Sequence, residues 1–213
     1  NDNNDKKSAR KSALILMFTL SFSVFPFSAR AQSDYLLKLK NYREQAVNNK
    51  ISASDQDKKL AEIEAEAEKI KDPEQKKLIL INQAELAEIW LKDDVAEKIY
   101  QQLLQMPQNL KEYVHYQYAQ LLIRKNKKND AKIQLNQLLD LSPNVKLTVD
   151  SHLQLAKLEI EEKNYSTALK LLNSVEKRMR HEEMYPAIVY DLAQAERGTG
   201  RHDSFCKWVK KLY

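Results

Sequence analysis

One spacing constrains this chain more than any other property. Ala84, Ala119, Ala156 and Ala193 lie 35, 37 and 37 residues apart by subtraction, and each is followed 12 positions later by Ala96, Ala131, Ala168 and Phe205. A pattern that returns at such a period marks a chain built from one supersecondary unit, which cannot bury its apolar face until a neighbouring copy stacks on it. Around these small residues the apolar positions recur at offsets of three and four, the spacing of one helix face. The first unit reads Leu80, Ala84, Ala87 and Leu91, then Ala96, Tyr100 and Leu103, closing at Pro107. The second reads His115, Ala119 and Leu122, then Ala131, Leu135 and Leu138, closing at Pro143. The third has His152, Leu155 and Ala156, then Ala168, Leu172 and Val175. The fourth has Val189, Leu192 and Ala193, a turn at Gly198 to Gly200, then Phe205, Val209 and Leu212. Each unit is therefore expected to be a helical hairpin whose two backbones approach closely at a methyl-sized side chain, with larger residues filling the grooves.

Composition agrees with an all-α chain and removes several enzyme classes. Two glycines and five prolines in 213 residues leave little turn material for sheets. Both glycines sit in one short segment, so neither a dinucleotide-binding loop, a P-loop nor a nucleophile elbow of the Gly-x-Ser-x-Gly kind can be assembled. The sole cysteine, Cys206, has no partner for an internal disulfide, and we expect it to be a small buried apolar residue.

Residues 1–31 stand apart from the rest. Lys6, Lys7, Arg10 and Lys11 precede an uncharged run from Ser12 to Phe27, and Ala29-Arg30-Ala31 fits small-x-small cleavage before Gln32. We read an export signal; the alternative, a membrane anchor, needs roughly 20 apolar residues, longer than this run. The expected location is periplasmic or secreted. Without the leader, 35 − 5 = 30 basic residues face 30 − 2 = 28 acidic ones, and the net charge falls from +5 to +2. Nucleic-acid binding needs clustered excess cations, so near-neutrality and export both point away from it.

Residues 32–72 are expected to form a helical hairpin. Ser33 to Asn49 carries Tyr35, Leu36, Leu39, Tyr42 and Ala46 on one side. Ser54, with Asp57 three residues on, is the expected N-cap of a helix bearing Leu60, Ile63, Ala67 and Ile70. That seam either caps the first repeat or forms a short self-associating coiled coil. Asp72-Pro73-Glu74-Gln75 then opens the repeats at residue 73, with Asp72 as cap, Pro73 at the first helical position and Gln75 reaching back.

The repeat resembles the tetratricopeptide (TPR) family. Ala84, Ala96 and Tyr100 in the first copy, Ala119, Ala131, Leu135 and Pro143 in the second, and Ala156, Ala168 and Leu172 in the third match the family's small eighth, Ala twentieth, large twenty-fourth and Pro thirty-second positions. Leu80, His115, His152 and Val189 replace its early Trp, and Phe205 replaces an Ala. The resemblance implies a right-handed superhelical solenoid of about four repeats over 73–213, the last expected to be truncated, with a concave groove for a protein or peptide. Carrying the family's groove offsets onto this chain marks Glu85, Glu88, Tyr113, Tyr116, Gln120, Arg124, Leu153, Lys157, Tyr190, Gln194 and Arg197. The tyrosines either contact a ligand or shield neighbouring helices. Ile81 and Glu85 stand where the family's carboxylate-clamp members use Lys or Asn, so that mode is not expected.

No catalytic or metal constellation competes with this reading. His115 and His152 hold equivalent repeat positions and read as packing residues; His181 lacks a second histidine four residues on, and His202 lies in a turn. Glu62, Glu64, Glu66 and Glu68 alternate around a helix, as a solvated face does. We therefore expect an exported, non-catalytic scaffold or adaptor without cofactor or metal, its partner a protein of the cell envelope. Two alternatives stay open: an oligomeric subunit of an envelope assembly, and a helper region of an enzyme whose catalytic domain lies beyond Tyr213.

Overall fold

The computed structural model describes residues 51–107 and 110–211, together with Asn41 and Glu44. The leader over 1–31 and the helix expected over 33–49 lie outside the described residues apart from those two, as does Leu212. Nine α-helices follow one another among the described residues. They are α1 (Ala53–Lys69), α2 (Pro73–Ile89), α3 (Asp93–Gln105), α4 (Lys111–Arg124), α5 (Lys128–Asp140), α6 (Val145–Glu161), α7 (Tyr165–Glu176), α8 (Tyr185–Gly198) and α9 (His202–Val209). They belong to two compact units that divide between residues 108 and 109.

In the first unit α2 packs against both α1 and α3. The N-cap of α1 is Ser52 where Ser54 was expected. Its Oγ accepts from the Asp55 amide at 3.2 Å and donates to Asp55 Oδ2 at 2.6 Å, so the same Ser-x-x-Asp box forms two residues earlier. Leu60, Ile63 and Ala67 are buried, and Gln83 on α2 donates to the Leu60 carbonyl at 3.0 Å. Asp72 caps α2 as expected, accepting from the Glu74 amide at 3.1 Å, with Pro73 next to it. No reciprocal bond from the Gln75 side chain is found among the described residues. Lys77 is buried on α2 and is held by Glu74, which supplies the counter-charge that such burial requires.

The second unit contains three hairpins, α4 with α5, α6 with α7 and α8 with α9, and α7 also packs on α8. Its core includes Val149, Leu153, Ala156, Ala168, Leu172 and Val175 from the middle hairpin and Ile188, Leu192 and Ala195 from the last. Met184 and Trp208 pack against this core from the edges. Ala84, Ala96, Ala119, Ala131, Ala156 and Ala168 are 0 % exposed, as the repeat requires. Phe205, at the equivalent point of the last hairpin, is only half-buried, and no residue of α9 is fully buried. A bulky ring there cannot let α9 approach α8 as closely as an alanine would.

The turns inside the hairpins repeat more strictly than the side chains do. Leu91, Asn126, Lys163 and Gly200 have φ of 60, 58, 65 and 76°, and these residues are again 35, 37 and 37 apart. At each turn the following amide reaches back five residues: Lys92 to the Ala87 carbonyl at 2.8 Å, Lys127 to Leu122 at 2.8 Å, Asn164 to Glu159 at 2.8 Å and Arg201 to Glu196 at 3.1 Å. This is the left-handed C-cap that satisfies the last carbonyls of a helix. Leu91, read from the sequence as part of the apolar face of α2, is this turn residue instead and is 44 % exposed. Three of the four turns place a side chain in the left-handed region, which strains leucine and lysine more than asparagine or glycine. At Gly198 the constraint is spatial, since a Cβ would fall 2.4 Å from the Tyr165 ring.

Two stability measurements check this account. Replacing Ala119 by Leu should cost about 1–3 kcal/mol in urea unfolding, because the fully buried site has no room for three more carbons. Replacing Gly200 by Ala should cost roughly 1 kcal/mol from backbone strain alone, since no heavy atom lies within 4 Å of the added methyl.

Candidate functional site

The first helices of the three hairpins in the second unit, α4, α6 and α8, carry the predicted groove positions other than Glu85 and Glu88. Two side-chain approaches join them. Tyr116 on α4 lies close enough to Asp150 on α6 for the carboxylate to raise its pKa, and Lys157 on α6 acts on Asp191 on α8 in the opposite sense. The Tyr116 hydroxyl is pushed up to about 12, first by burial and then by Asp150. Burial also raises both aspartates, against smaller opposing effects from Lys146 on Asp150 and Lys157 on Asp191.

The predicted residues divide by exposure. Tyr190 is 54 % exposed and Lys157 and Arg197 are exposed, so these side chains can meet a ligand. Tyr113, Gln120, Arg124 and Gln194 are half-buried, and the Nε2 of Gln120 is enclosed without an acceptor. Tyr116 is only 6 % exposed and Leu153 is buried, so both act mainly as wall between the helices. Glu85 and Glu88 belong to the first unit and are buried there; the Tyr100 hydroxyl donates to Glu88 Oε1 at 2.5 Å, fastening α3 to α2.

Asp150 and Asp191 were not singled out from the sequence. The signal for Asp150 was present, because it stands 150 − 113 = 37 residues after Tyr113 and so holds the same place in its repeat. Asp191 lies beside the groove offsets, directly after Tyr190, and no periodicity marked it. Asp191 is 9 % exposed, yet neither aspartate has a hydrogen bond or an ion pair within 4.0 Å among the described residues.

Other polar clusters serve the scaffold. His115 Nδ1 meets Gln134 Oε1 on α5 at 2.9 Å, an inter-helix contact, and burial lowers its pKa. His152, also half-buried, bonds through Nδ1 within its own helix, to the Thr148 carbonyl at 2.7 Å. Cys206 is exposed, a correction to its expected burial: Phe205 and Trp208 turn toward the unit, and Cys206 lies about 100° around the helix from Phe205. Lys132 on α5 bridges Glu159 at 2.7 Å and Glu162 at 2.6 Å at the end of α6. No group of three or more His, Cys, Asp or Glu able to hold a metal occurs among the described residues. No described helix is long and apolar enough to cross a membrane.

The densest cluster surrounds Glu176 at the end of α7. Arg180 donates to both its oxygens, at 3.2 and 3.1 Å, Tyr185 donates at 2.8 Å, and Lys211 approaches to 3.5 Å while lying 4.1 Å over the Trp208 ring. This buried carboxylate ties α7, the start of α8 and the end of α9 to one point.

No family model and no curated protein matches the chain. Solved structures do. The TPR-like repeats of a protein described as a kinesin light chain from Podosopora anserina align with a TM-score of 0.65 and 12 % identity, covering 87 % of this chain and 95 % of that one. BtubC (BKLC) from P. vanneervenii aligns at 0.61 and 13 %, covering 98 % and 89 %. The C-terminal part of a TPR repeat-containing protein from Cytophaga hutchinsonii aligns at 0.56 and 19 %, covering 81 % of this chain and 64 % of that one. The chain has a TPR-like fold. In a TPR-like frame, α2/α3, α4/α5, α6/α7 and α8/α9 are successive hairpins, and α4, α6 and α8 are equivalent first helices.

The Glu176 cluster generates a pH prediction with a definite sign. Arg180 in first place, then Tyr185, hold its carboxyl below the ordinary value of 4.5 against the opposing effect of burial. A depressed folded pKa stabilises the protein above the unfolded value, and that stabilisation is lost as pH falls through the folded value. Thermal unfolding followed from pH 7 into the acid range should therefore show a steeper loss below about 4.5 in the wild type than in Glu176→Gln.

Proposed function

We propose that this chain is an exported, non-catalytic TPR-type adaptor that holds a segment of a cell-envelope protein on the face formed by α4, α6 and α8. The observation that carries the reading is the mixed character of that face. Exposed Tyr190, Lys157 and Arg197 stand next to half-buried Gln194 and buried Asp191. A face that only closed a core would be apolar and covered, whereas aromatic and arginine side chains left accessible are the usual anchors of protein interfaces.

Export rests on residues 1–31, with their basic start, uncharged run and Ala29-Arg30-Ala31 site. The coiled-coil route to an oligomer gains no support, because Leu60, Ile63 and Ala67 are already covered and α1 packs on α2.

The localisation half is checked by placing residues 1–31 ahead of alkaline phosphatase, which is active only after export; an inactive fusion would remove the envelope from the proposal. For the binding half, mature protein is cross-linked in an envelope extract beside its Tyr190→Ala, Lys157→Ala variant. The variant should lose its main cross-linked partner by about tenfold at unchanged melting temperature. Equal recovery would show that contact is made elsewhere.

A further inference from the structure

We propose that Asn164 is a glycan attachment site, its side-chain nitrogen the acceptor of an oligosaccharide transferred outside the cytoplasm. This rests on the export half of the adaptor reading and not on its binding half.

The sequence supplies the signal. Among the asparagines of the chain, only Asn164 is followed two positions later by Ser or Thr, with a residue other than proline between. That triplet, Asn164-Tyr165-Ser166, is the acceptor pattern for N-linked glycans, which are bulky and need a surface position. Glu162, two residues ahead of Asn164, adds the acidic position that the stricter bacterial form of the pattern demands. A bare triplet arises readily by chance, so its surroundings decide.

Those surroundings are open. The triplet begins α7, directly after the left-handed Lys163 in the turn from α6. Every residue from Glu161 to Asn164 is exposed, and so are Ser166 and Thr167. Tyr165 alone is half-buried, its ring lying where Gly198 of α8 leaves room. The Asn164 side chain makes no capping bond to α7; its main-chain carbonyl starts the helix instead, accepting from the Thr167 and Ala168 amides at 3.0 and 3.1 Å. The Ser166 hydroxyl, the other group that the pattern requires, has no hydrogen bond among the described residues, so the fold does not compete for it.

The atoms also balance without breaking the turn. Asn164 Nδ2 donates to Glu159 Oε2 at 2.8 Å and reaches Glu162 Oε2 at 3.4 Å. A carboxamide nitrogen carries two hydrogens. Transfer joins Nδ2 to the anomeric carbon of the sugar and breaks that carbon's bond to the diphosphate of a polyprenyl-linked donor, and the nitrogen loses one proton as the diphosphate leaves. The hydrogen that remains serves the shorter bond to Glu159, whose other oxygen keeps Lys132 at 2.7 Å. Only the longer bond to Glu162 is given up.

The full chain with its leader is produced in bacterial cells that carry an oligosaccharyltransferase and its lipid-linked oligosaccharide, beside cells that lack the transferase. The intact mass of the chain from the periplasmic fraction is the readout. The expected result is the added mass of one glycan in the first cells and none in the second, lost in Asn164→Gln and Ser166→Ala and kept in Ser166→Thr. Both loss variants should melt at the wild-type temperature, because neither side chain caps α7. Periplasmic chain at its unmodified mass, in cells where a control acceptor protein is modified, would overturn the proposal and leave export standing. Added mass that persists in Asn164→Gln would also overturn it. Chain kept inside the cell with residues 1–31 still attached would overturn the proposal together with the export reading.

Discussion

Close approach of paired helices at an alanine is the contact on which everything else in this chain depends. Where Ala84, Ala96, Ala119, Ala131, Ala156 and Ala168 sit, no side chain holds the backbones apart, and the residues a turn away interlock. The benefit is collective, because dispersion between well-packed atoms is small per pair and large in sum. The last hairpin shows the same rule by exception. Phe205 is too large for the alanine's place, and α9 covers α8 without burying any of its own residues completely.

Much of the fold was legible for that reason. A methyl-sized residue returning at a fixed interval leaves few packings open, and the helices α2 to α9 fall where the spacing placed them. What could not be read was local. Ser52 and Ser54 offer competing caps with acids three residues on, and periodicity cannot choose between them. Leu91 continues the apolar pattern of α2 by identity, but its backbone has already turned the corner. Cys206 is apolar in character and exposed in fact, because the short α9 spends its inner face on Phe205 and Trp208.

Of the candidate site, the sequence carries positions on the repeat but not their depth. Family offsets point to accessible or half-buried side chains at Tyr190, Lys157 and Gln194, since those positions follow from the repeat. They also selected Tyr116 and Leu153, which the structure uses as wall, because an offset specifies direction without depth. Asp150 repeats the place of Tyr113 and was open to sequence reading, whereas the burial of Asp191 is visible only once neighbouring helices are in place.

The left-handed turns have a consequence of their own. Four corners are drawn by main-chain bonds to the carbonyl five residues back, and leucine, asparagine, lysine and glycine all occupy the pivot. A corner drawn by main-chain bonds, at which three different side chains bear the strain that glycine avoids, leaves no fixed letter to recognise. Chains can share the fold with this one at 12–19 % identity. Likeness in this architecture is carried by the rhythm of backbone angles more than by the alphabet.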